Sequence, residues 1–481
     1  MSNTNATPQP FDLVTRAVKA QPDAPAIVSR DARISYRELF DSAKQVAGAL
    51  RDAGVHPGDV VGISLPPQLE AVVIAACFHE AAISCHLSPA VTDTQALGIA
   101  WHITDRPRAD FPEDRTIVVT PEWLAAVARR PVALEQRHYD SGSAICRLVF
   151  SSGTTGTPKA VPFSIDSIEF RTRTATDYWM SVTPFMSLLG IDTVSGFQTF
   201  YAQLANQQPY VVPADGEANR HLLESEGIRS IKASPAQLAL LSDALTTTPT
   251  ALSSLELIQT AGSSLPTVLA QKLQQQTSAH IVNLYGSTEG GTIAIRSGDN
   301  LDPSDVGTIV HDAEVEIVDD THAPVAIGVE GQIRYRRPFQ ANEYFRNPDA
   351  TAVAFRHGWF YPGDRGRVDD NGHLWLAGRT SEIINAAGTK VDPSRVDNLV
   401  MSLGVVTDAA TFAATDANGL HRVGLAFVCE PGADIRSMGE HLRGILADSA
   451  PTVYWRIAQI PRNAMGKPLR RELTERYAAR G

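Results

Sequence analysis

Residues 148–161 read Leu-Val-Phe-Ser-Ser-Gly-Thr-Thr-Gly-Thr-Pro-Lys-Ala-Val. A short apolar run enters seven successive residues, Ser151 to Thr157, that are all Ser, Gly or Thr, and Pro158-Lys159 follows. Gly153 and Gly156 let the main chain turn tightly and bring its N–H groups against an anion. Ser151, Ser152, Thr154 and Thr155 add hydroxyl donors, and Lys159 supplies a compact cation for phosphate oxygens. The chemistry is that of a polyphosphate cradle. Its spacing is not the GxxxxGK[ST] of common nucleotidases, because Thr157-Pro158 separates Gly156 from Lys159.

The elements that would position this loop are those of an α/β protein. Apolar residues recur at helical spacing from Tyr36 to Leu50, and Gly54 ends the run. A buried strand is expected over Asp59–Leu65 and a helix over Leu69–Phe78. Strand and helix then alternate: 210–213, 221–226, 228–232, 236–245, 255–260, 268–276 and 280–284, the pattern of largely parallel sheets. After Gly291 the texture turns β-rich. Glu314–Val318 alternates, and Gly331–Tyr335 looks like its antiparallel partner. A further change after Gly378-Arg379 leaves about a hundred residues, enough for a small α+β unit with a strand over Val423–Val428 and a helix over Ile435–Asp448. Between Ala90 and Ser143 Pro and charge interrupt every periodic run.

With 53 acidic and 42 basic side chains among 481 residues, the formal charge is −11. That balance argues against nucleic acid or an anionic membrane as partner. The strongly apolar run Ala71–Phe78 is far shorter than the ~20 residues of a membrane span, and Met1–Pro10 has no signal-peptide character. Four cysteines form no CxxC pair and no zinc spacing, so a reducing, cytoplasmic setting is expected.

The loop Ser151–Lys159 resembles the signature of the acyl-adenylate-forming enzymes: acyl-CoA synthetases, adenylation domains of nonribosomal peptide synthetases, and luciferases. Only Ala160 departs, where Gly is usual. Five more segments follow in the family's order. Asn283–Glu289 resembles YGxTE; the resemblance implies that Tyr285 and Gly286 border the adenine, Thr288 meets the α-phosphate and Glu289 holds Mg²⁺. Thr260–Pro266 is similar to the turn beside the adenine, with Gly262, Ser263 and Ser264. Gly358–Asp364 resembles GWxxTGD, whose Asp binds the ribose hydroxyls, with Pro362 where Thr is usual. Gly378-Arg379 and Glu382–Lys390 resemble the hinge and the following loop, with Gly388 and Lys390. Pro461–Arg470 is similar to PxxxxGKxxR, which makes Lys467 the catalytic lysine. Pro25–Val28 and Ile34–Leu39 are similar to the opening strands.

The implied fold is a large N-terminal AMP-binding domain, residues 1–380, of αβ-layered sheets with a β-barrel-like subdomain. A small mobile α+β C-terminal domain would span residues 381–481. The implied activity is that of an ATP-dependent acid–thiol ligase: ATP and a carboxylic acid give acyl-AMP and pyrophosphate, and the acyl group passes to a thiol. ATP, Mg²⁺ and either coenzyme A or phosphopantetheine would serve it. An acyl carrier protein would act in trans, since no carrier sequence follows Gly481.

The departures bear on substrate. Many acyl- and aryl-CoA synthetases carry a histidine in a PxFHxxG segment; Thr183–Ile191 here has Met186 and no histidine. Amino-acid-activating domains carry an Asp in FDxS, and Phe185-Met186 breaks that too, with Asp192 displaced along the chain. Phe185, Met186, Gly190, Asp192 and Gly262 are expected to border an apolar pocket for an aliphatic or aryl acid. An amino-acid substrate, and a ligase passing the adenylate to an amine or other nucleophile, stay open as alternatives. Ser381 stands where a charged hinge residue is usual.

Overall fold

The computed structural model describes residues 7–151, 158–178, 180–247, 254–298, 302–379, 382–386, 389–415, 421–463 and 466–480. The helix expected after Ser35 is present as Tyr36–Ala53. Ser35 Oγ accepts from the Glu38 N–H while Glu38 reaches back to Ser35, and Gly54 closes it at φ 101°. Pro25–Val28 and Arg33–Ser35 form an antiparallel pair, with Tyr210–Val211 added in parallel.

Two large sheets frame the chain up to Arg379. The first has six strands in the order Thr116–Val118, Ile99–Thr104, Val60–Ser64, Ile83–His86, Ile145–Ser151 and Lys159–Ser164. All its pairs are parallel except the last. The helix Pro67–Glu80 is buried from Glu70 onward on every side. Its ring contact from Phe78 to Phe197 reaches the helix Val194–Ala205. A helix enclosed on all faces shows no amphipathic period, which is why its sequence reads as one apolar run.

The second sheet has twelve strands and a change of character in its middle. Phe185–Ser187, Ser230–Ala233, Leu257–Ala261 and His280–Ser287 run parallel. From His280–Ser287 onward the pairs are antiparallel, through Gly291–Ser297, Asp305–Ile309, His373–Arg379 and Asp364–Val368 to Gly331–Arg336. The β-rich unit read after Gly291 is thus continuous with the parallel half. Its expected pair, Glu314–Val318 with Gly331–Arg336, is antiparallel over five residues.

From Ile384 onward the chain builds sheets and cores of its own. Asp408–Thr415, His421–Val428 and Val453–Arg456 form one sheet. The helices Pro393–Ser402, Ile435–Leu446 and Arg470–Ala478 accompany it. Two apolar clusters here contain no residue before Ile384. In the stretch 90–143, Ile99–Thr104, Thr116–Val118 and Pro121–Val127 are short elements that no sequence period announces.

Candidate active site

The seam of the twelve-stranded sheet carries the first cluster. Tyr285 lies one residue before a bulge in His280–Ser287, and Gly286 follows it. A Cβ on Gly286 would sit 2.0 Å from the Gly291 carbonyl oxygen, so only glycine lets these strands close there. Tyr285 Oη donates to Asp364 Oδ2 at 2.7 Å, and Arg379 Nε meets Asp364 Oδ1 at 2.9 Å. Asp364 and Arg379 are cross-strand partners, which sets their pairing by register. The Asp364 carboxylate is buried yet has both oxygens matched. Burial and then Asp364 hold the Tyr285 hydroxyl protonated well above its usual range. Asp364 conversely strengthens the proton affinity of Arg379.

These residues line a cavity of about 260 Å³ with Gly262, Ser263, Ser264 and Lys467. Gly262 takes φ 95°, turning the chain away from the strand Leu257–Ala261. Lys467 enters from the region beyond Ile384. Gly466, at φ 77°, precedes it, and a Cβ there would lie 2.4 Å from Ala236 Cβ in the helix Pro235–Thr247. The lysine turn is therefore seated against the larger part of the molecule. The Lys467 ammonium donates to Glu382, which also accepts from Arg470 Nε at 3.2 Å.

The second cluster surrounds Glu289, a buried carboxylate. Tyr344 Oη donates to Glu289 Oε1 at 2.7 Å, and Lys159 Nζ lies 4.9 Å from the centre of the Tyr344 ring. Lys159 begins the strand Lys159–Ser164 directly opposite Ser151, whose Oγ donates to the Lys159 carbonyl at 3.4 Å. The glycine-rich segment therefore joins antiparallel strands. Arg171, buried in the helix Ile165–Tyr178, donates to the carbonyls of Thr288 (3.0 Å) and Glu289 (2.7 Å). Burial and the neighbouring Arg337 bring the Arg171 pKa down to about 9, still cationic at neutral pH. Arg337 bonds the Gly290 and Thr292 carbonyls at 3.3 and 2.9 Å.

Among the described residues no group of three His, Cys, Asp or Glu is placed to hold a metal. Mg²⁺ serving a nucleotide needs no such cage, because it takes one or two carboxylates and fills its shell with phosphate and water. Glu289, buried and aimed by Tyr344, fits that donor set.

The structure therefore brings Tyr285, Gly286, Asp364, Arg379, Gly262, Ser263, Ser264 and Lys467 to one cavity, and Lys159, Thr288 and Glu289 to an adjoining turn. Ser152, Gly153, Thr154, Thr155, Gly156, Ser381 and Gly388 lie outside the described residues. Lys390 sits in the short strand Thr389–Val391. Of the residues expected to border the acyl pocket, only Gly262 lines this cavity. Met186 pairs with Ile231 and is buried in the apolar cluster of Ile231, Ile258 and Leu238, while Phe185 joins Leu284 and Ala202. Neither lines the cavity, nor do Gly190 and the exposed Asp192. Arg171, Tyr344 and Glu382, given no role from sequence, hold residues that were assigned; Arg171 is one of five charged residues in its helix and nothing in the sequence singles it out.

A sequence model described as "AMP-binding enzyme" matches residues 14–345. The chain belongs to the AMP-binding enzyme family. Its α/β architecture, its enzyme class and its place among acyl-adenylate-forming proteins follow. This AMP-binding enzyme is 26% identical over 461 residues to a Streptomyces protein named "Salicylyl-CoA synthase / salicylate adenylyltransferase", covering 86% of this chain and 83% of that one. It is 27% identical to the enterobactin synthase component F of Escherichia coli O157:H7, covering 96% of this chain but 39% of that protein's length. In fold it is similar to the anthranilate CoA ligase AuaEII in complex with anthranoyl-AMP. There the TM-score is 0.86 and the identity 21%, with 100% of each chain covered. No helix among the described residues is long and apolar enough to cross a membrane.

Proposed function

We propose that this AMP-binding enzyme activates an aryl or other largely apolar carboxylic acid as its acyl-adenylate and passes the acyl group to the thiol of coenzyme A or of a carrier protein. One observation carries the reading. The Tyr285–Asp364–Arg379 string and Lys467, which lies far along the chain from Tyr285, meet in one 260 Å³ cavity. Such a cavity offers an aromatic wall, a carboxylate for ribose hydroxyls and a mobile cation, the complement of an adenylate.

In the first step a substrate carboxylate oxygen attacks the α-phosphorus, the bond to the β-phosphate oxygen breaks, and pyrophosphate leaves. Charge accumulates on the phosphate oxygens, so pre-placed cations and donors lower the barrier. Lys159 and the hydroxyls of 151–155 would orient the β- and γ-phosphates, and Thr288 the α-phosphate. Mg²⁺ held by Glu289 would neutralise phosphate charge. Lys467 would stabilise the attacking carboxylate and the α-phosphate together, and the closed interface would keep water from the adenylate. In the second step the thiol loses its proton, its sulfur attacks the acyl carbon, and AMP leaves. We place the domain boundary at 380/381, the movement being a rotation of 381–481 about Arg379–Ser381 that carries Lys467 out and the Gly388 loop in. The likeness to a salicylate adenylyltransferase and an anthranilate CoA ligase supports an aryl acid.

Pyrophosphate release from ATP across a panel of aryl, alicyclic and aliphatic acids and α-amino acids, with and without coenzyme A, tests the proposal. Release that requires an apolar acid is expected. Release with free α-amino acids alone, lost in Asp192→Ala, would overturn the substrate class.

A further inference from the structure

Lys467 is not free in its cavity. Its ammonium is bound by Glu382, which opens the segment Glu382–Lys390 but has no role assigned from sequence. Glu382 has both oxygens committed, to Lys467 on one side and to Arg470 Nε on the other. Arg470 is fixed in turn by Asp397 Oδ2 at 2.7 Å and the Thr411 carbonyl at 2.7 Å. The Glu382 backbone is fixed as well, since its N–H and that of Ile383 both donate to the Arg379 carbonyl, at 3.0 and 3.1 Å. One carboxylate thus joins the lysine turn, the arginine that anchors it, and the segment beside Arg379.

We propose that Glu382 is the positioning residue of Lys467, holding its ammonium protonated and aimed into the cavity until phosphate and carboxylate oxygens of the substrates replace it. This rests on the reading of Lys467 given above.

The electrostatic need is plain from the neighbours. Burial, then Arg379, and more weakly Arg470 lower the proton affinity of the Lys467 amine; Glu382 opposes them. Burial works to raise the Glu382 carboxyl, yet Lys467, Arg470 and Arg379 together bring it below its usual range. The carboxylates that also line the cavity are otherwise engaged. Asp364 holds Arg379 and Tyr285, Asp397 holds Arg470, and Asp392 accepts from the Ser394 N–H, its own pKa raised by burial to about 6. Three cations therefore converge on one carboxylate, and among the described residues Glu382 is the carboxylate that meets the lysine. A flexible four-carbon side chain with this single anchor can exchange partners without any main-chain movement. Losing Glu382 leaves an amine that gives up its proton more readily as pH rises, and the neutral amine cannot stabilise phosphate charge.

The test uses the full chain and its Glu382→Gln and Glu382→Asp variants. Lys467 is labelled with acetic anhydride as a function of pH and read by peptide mass spectrometry, a readout that needs no turnover. In Glu382→Gln the midpoint of the labelling curve should move to lower pH, and Glu382→Asp should stay near the wild type. Pyrophosphate release by Glu382→Gln, relative to wild type, should fall by about tenfold between about pH 7 and about pH 9, the scale of one lost charged hydrogen bond. Superimposed labelling curves for the three proteins would overturn the inference. Failure of the underlying reading looks different: Lys467→Ala would then release pyrophosphate at the wild-type rate, whatever the labelling shows.

Discussion

The Glu289 turn and the Lys467 turn each present one charged group, but they are held in opposite ways. Around Glu289 the bracing comes from buried groups: Arg171 and Arg337 grip successive main-chain carbonyls, and Tyr344 fixes the carboxylate. Around Lys467 the bracing is a string of side-chain ion pairs, part exposed, that ends on a long flexible stem. Carbonyls of this turn move only with the main chain, whereas an ion pair can exchange partners by side-chain rotation alone. A ligand for a metal or phosphate gains from the first arrangement. A lysine that serves one half-reaction and then withdraws needs the second.

Four substitutions test that contrast, in descending order of effect. Arg171→Met removes a buried cation bonded to two carbonyls and should lower stability by about 3 kcal/mol, read as a reduced denaturant midpoint. An unchanged midpoint would mean the Glu289 turn is not braced from helix Ile165–Tyr178. Lys467→Ala should leave the midpoint alone and slow pyrophosphate release on the order of 100-fold, about 2.7 kcal/mol. Asp364→Ala should weaken ATP about tenfold, by calorimetry. An equal affinity would remove the ribose role of Asp364. Tyr344→Phe should be mildest, raising the Mg²⁺ needed for half-maximal release by about threefold, the low end of what one hydrogen bond contributes. A larger effect than that of Arg171→Met would reverse the ranking of the two braces.

Much of this site was legible in the sequence because loops that bind phosphate and nucleotide are read by residue type and order. Tyr285, Asp364 and Lys467 lie far apart in the chain, yet each sits in a short segment whose glycines announce close main-chain approach. Met186 shows where such reading fails. The apolar run Phe185–Ile191 suggested a pocket wall, but side chains alternate along a strand. Pairing with Ser230–Ala233 sends Met186 into the core with Ile231, while Ser187 points to the other face with Lys232. Only the register decides that, and register depends on strands forty residues away. Arg171 and Glu382 were missed for a related reason: each acts through a partner more than eighty residues distant, and nothing local marks either one.

The most direct test of the account is to measure both half-reactions on the same preparation of Lys467→Ala. The account predicts acid-dependent pyrophosphate release slowed about 100-fold, with acyl transfer to coenzyme A from chemically supplied acyl-AMP close to the wild-type rate. Equal losses in the two steps would contradict it, because they would mean that Lys467 stays at the cavity throughout and that its exchangeable anchoring serves no movement.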